Sequence, residues 1–174
     1  MGICSIKNDE LPEDDARRKH KGRFCYRAPT ARDEGGALAI FQEMASRPTT
    51  IVSLNIAIAY GCIFGHIVTM ADAIKAYVQS LLKSVHKTWV LIHPLLRPAE
   101  WKGKYVQPMC LLRKALYGHP ESGAHWEQHF NAAVKRLGGQ PVPEHPSSFF
   151  FPSERLLLTV YVDDLLPVSY THLR

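Results

Sequence analysis

The chain has 174 residues, 46% of them apolar, with a formal net charge of +5. That is about one ordinary domain with enough apolar material for a real core, and the modest charge permits a nucleic-acid partner without demanding one. The four cysteines, Cys4, Cys25, Cys62 and Cys110, include no C-x-x-C pair, which excludes a zinc knuckle or ribbon and suits a reducing compartment.

Residues 1–16 are polar and acidic and read as a tail. They carry no signal-peptide core, and Ile6 stands where a myristoylation site needs Ser or Thr. A basic run follows: Arg17, Arg18, Lys19, Lys21, Arg23 and Arg27, with His20 among them. Such a run can neutralise phosphates, and it suits a solvated arm equally well. Phe24 and Tyr26 interleave with these charges as they would in a strand. Residues 37–46 read as a helix. Pro48 then punctuates the chain, and Thr49 or Thr50 can cap a second helix on which Ile51, Leu54 and Ile58 share a face and which Gly61 ends.

Residues 63–70 read as a strand running toward Asp72. No formal charge lies between Arg47 and Asp72, a length that would suit a membrane span. Ser53, Asn55, Gly61, Gly65 and His66 interrupt it, so a buried helix, a turn and a buried strand are expected, with no membrane partner. Residues 89–92 form a short apolar run followed by prolines, a loop with Trp101, Lys102, Gly103 and Lys104 comes next, and a strand is expected at 106–112. From Ser122 a clear helix begins, with Trp126, Phe130, Val134 and Leu137 on one side and Gly138-Gly139 at its end. Pro141, Pro143 and Pro146 turn the chain toward Phe149-Phe150-Phe151, and residues 156–162 form a strongly apolar strand that ends in Asp163-Asp164. There is no internal repeat and no regular βαβ alternation, so the fold class is α+β.

An apolar strand ending in adjacent carboxylates is costly, because like charges repel and resist desolvation. A bound divalent cation removes that cost. Mg²⁺ prefers oxygen ligands and keeps several waters, so two or three carboxylates suffice. The bland alternative is a plain surface turn, where Asp is common. Asp72 also follows an apolar strand, and its own bland role is a helix N-cap. If the two strands lie side by side, Asp72 and Asp163 meet at one end of a sheet and can hold two metal ions about 4 Å apart for in-line phosphoryl transfer. His125 and His129, one helical turn apart, suggest a different chemistry, that of a zinc hydrolase. The zincin pattern needs Glu directly after the first histidine, and here that position is Trp126, with Glu127 one place late.

Tyr161-Val162-Asp163-Asp164 after an apolar strand resembles the signature of reverse transcriptases. Asp72-Ala-Ile-Lys-Ala-Tyr77 is similar to the first catalytic motif of that family. Leu116-Tyr117-Gly118 and Trp126 have the spacing of the copia-type middle motif, and His145-Pro-Ser-Ser-Phe149 resembles the segment before the catalytic hairpin. The resemblance implies a copia-type retrotransposon RNA-directed DNA polymerase. Residues 17–167 would be its fingers and palm, with an antiparallel palm sheet and without thumb or ribonuclease H.

By the same resemblance Asp72 and Asp163 are ligands of two Mg²⁺ ions, which Mn²⁺ can replace, and Asp164 supports them. Tyr77 packs under the incoming sugar and favours deoxynucleotides, Tyr161 sits near the primer end, and Lys21 and Arg23 grip the triphosphate. The implied partners are an RNA or DNA template with its primer and deoxynucleoside triphosphates. The implied place is intracellular, a cytoplasmic particle or the nucleus. Two departures stand out. Glu121 occupies the position of the family's usual glutamine, where its charge would repel phosphates, and Thr69-Met70-Ala71 is atypical before Asp72. The chain stops soon after Asp164, and residues 168–174 read as a non-native tail resembling one frame of a sequencing-adapter DNA. An inactive transposon relic is compatible with the same ancestry.

Overall fold

The computed structural model describes residues 1–41 and 46–170. In chain order the elements are β1 (Gly2–Lys7), β2 (Lys19–Phe24), α1 (Ile51–Gly61), β3 (His66–Val68), β4 (Ala71–Asp72), α2 (Ala76–Gln79), β5 (Trp89–Leu91), β6 (Met109–Leu111), α3 (Ser122–Arg136), β7 (Gln140–Pro141), β8 (Ser148–Phe151), β9 (Leu156–Tyr161) and β10 (Asp164–Tyr170). Every strand pair is antiparallel, and helices and sheets do not alternate regularly, in keeping with an α+β class. Two compact units form: Met1–Glu43 with Leu82–Ser122, and Met44–Leu81 with Gly123–Arg174.

In the first unit β1 and β2 make a hairpin with Gly2 opposite Phe24 and Lys7 opposite Lys19. Residues 1–16 are therefore not a plain tail. All residues of both strands are exposed, so this ribbon has no inward face and needs no apolar alternation that a sequence could display. Acidic and basic residues of the connecting loop neutralise each other. Arg17 grips both carboxylate oxygens of Asp15 (3.0 and 2.7 Å), which holds the Asp15 carboxyl below its usual pKa, and Arg18 pairs with Asp9 at 2.6 Å.

The helix expected over 37–46 is absent at 37–41. The Asp33 side chain accepts from the N–H groups of Gly35 and Ala37 (both 2.9 Å), and Arg32 bridges Leu38, a local arrangement that competes with helix. Residues 42–45 of that expectation lie outside the described residues. The apolar run at 89–92 and the segment 106–112 contribute β5 and β6, which pair with Trp89 opposite Leu111. Gly118, at φ +84°, is required by a close backbone crossing. The Tyr26 N–H donates to the Tyr117 carbonyl at 2.6 Å, and a Cβ at 118 would collide with the Tyr26 carbonyl oxygen.

The second unit is built on a sheet of order β3-β10-β9-β8-β7, with β4 following β3 along the same edge of β10. The expected strand over 63–70 is broken into β3 and β4 for a specific reason. The Thr69 N–H donates to the Pro167 carbonyl at 3.0 Å, but Pro167 has no N–H with which to answer, so the ladder lapses between Val68 and Ala71. The first residues of the segment 168–174 complete β10. Val168 is fully buried and lies opposite Val68, while residues 171–174 are outside the described residues.

α1 begins where Thr50 accepts from the Ser53 N–H (3.2 Å). Its buried residues are Ser53 and Ala57, whereas Ile51 and Ile58 stay 77% and 48% exposed, so the expected apolar face is not the one that packs. The helix is apolar on most sides, and its small residues allow the closest approach. The buried Ser53 hydroxyl is satisfied by Thr50 Oγ1 and His145 Nδ1, both at 2.9 Å. α3 buries Trp126 and Val134, and Val134 joins Phe149, Leu158 and Val160 in the core, flanked by Phe130. Leu137, expected on that face, is 75% exposed because Gly138 (φ +90°) turns the chain away. No helix among the described residues is long and apolar enough to cross a membrane.

This packing predicts that Phe149→Ala destabilises the protein by about 3–5 kcal/mol, while Leu137→Ala on the exposed end of α3 stays within about 0.5 kcal/mol. Urea unfolding followed by tryptophan fluorescence measures both, and equal effects would contradict the assignment of the α3 faces.

Candidate metal centre

The acidic centre lies where β9 turns into β10. Tyr161 is directly opposite Asp164, so Val162 and Asp163 form a two-residue hairpin loop. Val162 has φ +59°, and Asp163 is not among the positive-φ residues, as a type II′ turn requires. Glycine is the favoured residue there, and a β-branched side chain in that conformation costs on the order of 1–3 kcal/mol. β10 then pairs on its other edge with β4, which puts Asp72 directly opposite Asp164. The Ala73 N–H donates to the Asp163 carbonyl at 2.8 Å and ties the segment after Asp72 to the turn itself.

The result is one carboxylate oxygen from each of Asp72, Asp163 and Asp164 within 4.8 Å of one another. Asp72 and Asp164 are exposed and Asp163 is half-buried. This is the one such three-ligand group among the described residues. No described Lys or Arg forms an ion pair with any of the three. Like charges directly opposite on a ladder are destabilising, and neither side-chain pairing nor deep burial offsets the repulsion here. The donor set is all carboxylate oxygen, which is chemistry suited to hard cations such as Mg²⁺ or Mn²⁺. Asp72 is not spent as a helix cap. The residue before α2 is Lys75, in a left-handed conformation (φ 53°) with no side-chain cap.

The second unit also holds Tyr77 and Tyr161. Tyr77, half-buried on α2, lines a shallow cleft together with Trp126, Val160, Val162, Arg47 and Glu127. Tyr161 is 58% exposed at the end of β9. Lys21 and Arg23 belong to the first unit, on one face of β2 with Lys19. All three are exposed, and the Arg23 guanidinium lies 5.9 Å from the Tyr117 ring centroid. Glu121, also in the first unit, is only 8% exposed, and its N–H donates to His119 Nδ1 at 3.3 Å. His125 is buried and His129 exposed on α3, the latter stacked 6.0 Å from the Trp126 ring. No third His, Cys, Asp or Glu completes a metal group with them among the described residues.

Sequence reasoning missed two residues at the centre. The Trp126 indole N–H donates to the Val162 carbonyl at 2.6 Å, and Val162 carries the backbone strain. The one signal for Val162 was a two-residue interval between apolar runs. Trp126 read as part of an apolar helix face and of the middle-motif spacing, neither of which shows its bond to the turn. Compared with family models, curated proteins and solved structures, the chain matches none.

If the carboxylates repel as placed, Asp164→Asn raises metal-free stability by about 0.2–1 kcal/mol at low ionic strength. In ~1 M salt, where the Debye length is about 3 Å, the gain shrinks toward zero. Differential scanning calorimetry at both salt concentrations reads this. A variant less stable than wild type at low salt would show that the carboxylates do not repel.

Proposed function

We propose that this chain carries the carboxylate centre of a copia-type RNA-directed DNA polymerase, as its fingers-and-palm portion, and serves metal-dependent nucleotidyl transfer. The observation that carries this reading is the convergence of Asp72, Asp163 and Asp164 within 4.8 Å, on adjoining strand ends and from segments distant in sequence. The ordered motifs around Asp72, Leu116-Tyr117-Gly118, His145 and Tyr161 support the same reading from the sequence side.

In the proposed reaction the primer 3′-oxygen forms a bond to the α-phosphorus of a deoxynucleoside triphosphate, the bond from that phosphorus to pyrophosphate breaks, and the hydroxyl proton passes to solvent water. Asp72 and Asp163 would hold two Mg²⁺ ions, which when bound lower the pKa of the attacking hydroxyl and stabilise the leaving pyrophosphate. Asp164, opposite Asp72, adds negative charge that favours cation binding at the centre. Tyr77, on the wall of the cleft beside Val162, offers an aromatic ring that discriminates against a 2′-hydroxyl by shape. Tyr161 presents an exposed ring at the strand end for the primer terminus. Lys21 and Arg23 are exposed cations of a kind that binds phosphate, in keeping with the triphosphate role the resemblance implies. Template and primer are bound chiefly through their phosphates, independently of the carboxylates.

With the chain extended by a thumb, Asp163→Asn lowers the rate of primer extension at least about a thousand-fold, the several kcal/mol that a metal site supplies. Template–primer affinity, measured by fluorescence anisotropy, changes little. Extension at the wild-type rate by that variant would defeat the assignment.

A further inference from the structure

The two peptide planes that flank the Asp163 Cα are each held through their carbonyl oxygen. The plane joining Val162 to Asp163 is held by the Trp126 indole N–H at 2.6 Å, and the plane joining Asp163 to Asp164 by the Ala73 N–H at 2.8 Å. Peptide planes are rigid, so fixing both leaves φ and ψ of Asp163, and with them the direction of its Cα–Cβ bond, little freedom. The second of these bonds belongs to the ladder that brings Asp72 into place. The first comes from a side chain on α3, an element that contributes no carboxylate.

The bond from Trp126 also falls at the one position in the turn where the backbone is under strain. Val162, β-branched at φ +59°, would relax to negative φ if released, and its carbonyl would then rotate. Trp126 is well placed to resist this. It is 5% exposed, packed against Phe130 at 5.6 Å between ring centroids, and so held by the helix rather than by the turn. A buried indole that gives its N–H to a strained carbonyl is a fixed donor, since an unmet N–H would be costly there.

We propose that Trp126 is a positioning residue: its indole N–H clamps the strained Val162 carbonyl and so holds the Asp163 carboxylate in register with Asp72 and Asp164 for binding a divalent cation. The cation-binding part of this statement rests on the metal-centre reading above, whereas the clamp itself does not.

Three variants of the present chain test it: Trp126→Phe, Val162→Gly and the double variant. The readouts are hydrogen exchange at the Ala73 amide without metal, and Mn²⁺ affinity by electron paramagnetic resonance. Loss of one well-placed hydrogen bond predicts roughly tenfold faster Ala73 exchange in Trp126→Phe, and a comparable loss of Mn²⁺ affinity. Glycine takes positive φ without strain, so adding Val162→Gly restores most of both quantities. A tryptophan needed only for core packing would not be rescued by a change at 162.

Unchanged Ala73 exchange in Trp126→Phe, or no rescue in the double variant, overturns the clamp. Equal Mn²⁺ affinity in wild type and Asp163→Asn would sink the metal-centre reading instead, while the exchange data still decide the clamp. If Trp126→Phe loses its native circular dichroism, replacing the indole by its benzothiophene analogue removes the N–H while keeping the ring shape. The same outcomes then apply.

Discussion

Everything at the acidic centre depends on the register of one strand. β10 is paired on both edges, with β9 through a two-residue turn and with β4 through Asp164 opposite Asp72. Side chains alternate between the faces of a strand, so a slip of one residue on either edge would send a carboxylate to the other face and dissolve the cluster. The register is held by burial as well as by hydrogen bonds. Val168, further along β10, is fully buried opposite Val68, and Leu158, Thr159 and Val160 of β9 are all buried, as befits a central strand covered on both sides. The apolar half of the hairpin thus fixes the position of its polar end.

That polar end is locally unfavourable on two counts. Three carboxylates converge without an ion pair to any described Lys or Arg, and a valine occupies the left-handed position of the turn. Sequences that fold well tend to agree with their structure at every level, and the places where they do not are the natural candidates for function. Here both violations meet at the turn, Val162 to Asp164, and the backbone of that turn is held from outside the segment. The ladder to β4 holds one side, and the Trp126 indole holds the other. A surface turn of merely structural purpose would relieve each conflict by simple substitution, glycine at 162 and an uncharged residue at 164.

How much of this was legible in the sequence differs by element. The α1 cap at Thr50, the α3 span from Ser122, and strand β9 ending in paired aspartates follow from capping chemistry and hydrophobic periodicity, which are local properties. The meeting of Asp72 with the pair rested on a resemblance and on the supposition that two strands adjoin, and pairing between distant segments is not written in either segment alone. A strand in the basic run was suggested by its interleaved aromatics, but β1 and its pairing with β2 were illegible because a ribbon exposed on both faces leaves no apolar pattern. The lapse between β3 and β4 depends on Pro167, a residue on a strand nearly a hundred positions away from the one it interrupts. The buried face of α1 was misread because small residues, not large ones, make the close contacts, and an almost uniformly apolar helix does not announce its inward side. The role of Trp126 was hidden by its apolar ring, which placed it in the core, while its N–H serves the turn.

Charge is distributed between the two units in a way that fits the proposed chemistry without depending on how they are arranged. The first unit displays Lys19, Lys21 and Arg23 on one face of β2, with Lys7 across from Lys19, while the neighbouring arginines of the loop, Arg17 and Arg18, are already paired with Asp15 and Asp9. Lys19, Lys21 and Arg23 stand at alternate positions of the strand, where an extended polyanion could meet them in succession. The second unit gathers three carboxylates, Asp72, Asp163 and Asp164, in one place. A phosphate-bearing substrate would be attracted to the former and repelled by the latter unless cations intervene. An acidic cluster that serves such a substrate must therefore work through bound metal, and a turn that must keep Asp163 and Asp164 in place beside Asp72 needs its backbone held more firmly than a two-residue loop can hold itself. The tryptophan behind the loop supplies that rigidity from the most regular element nearby, the helix α3.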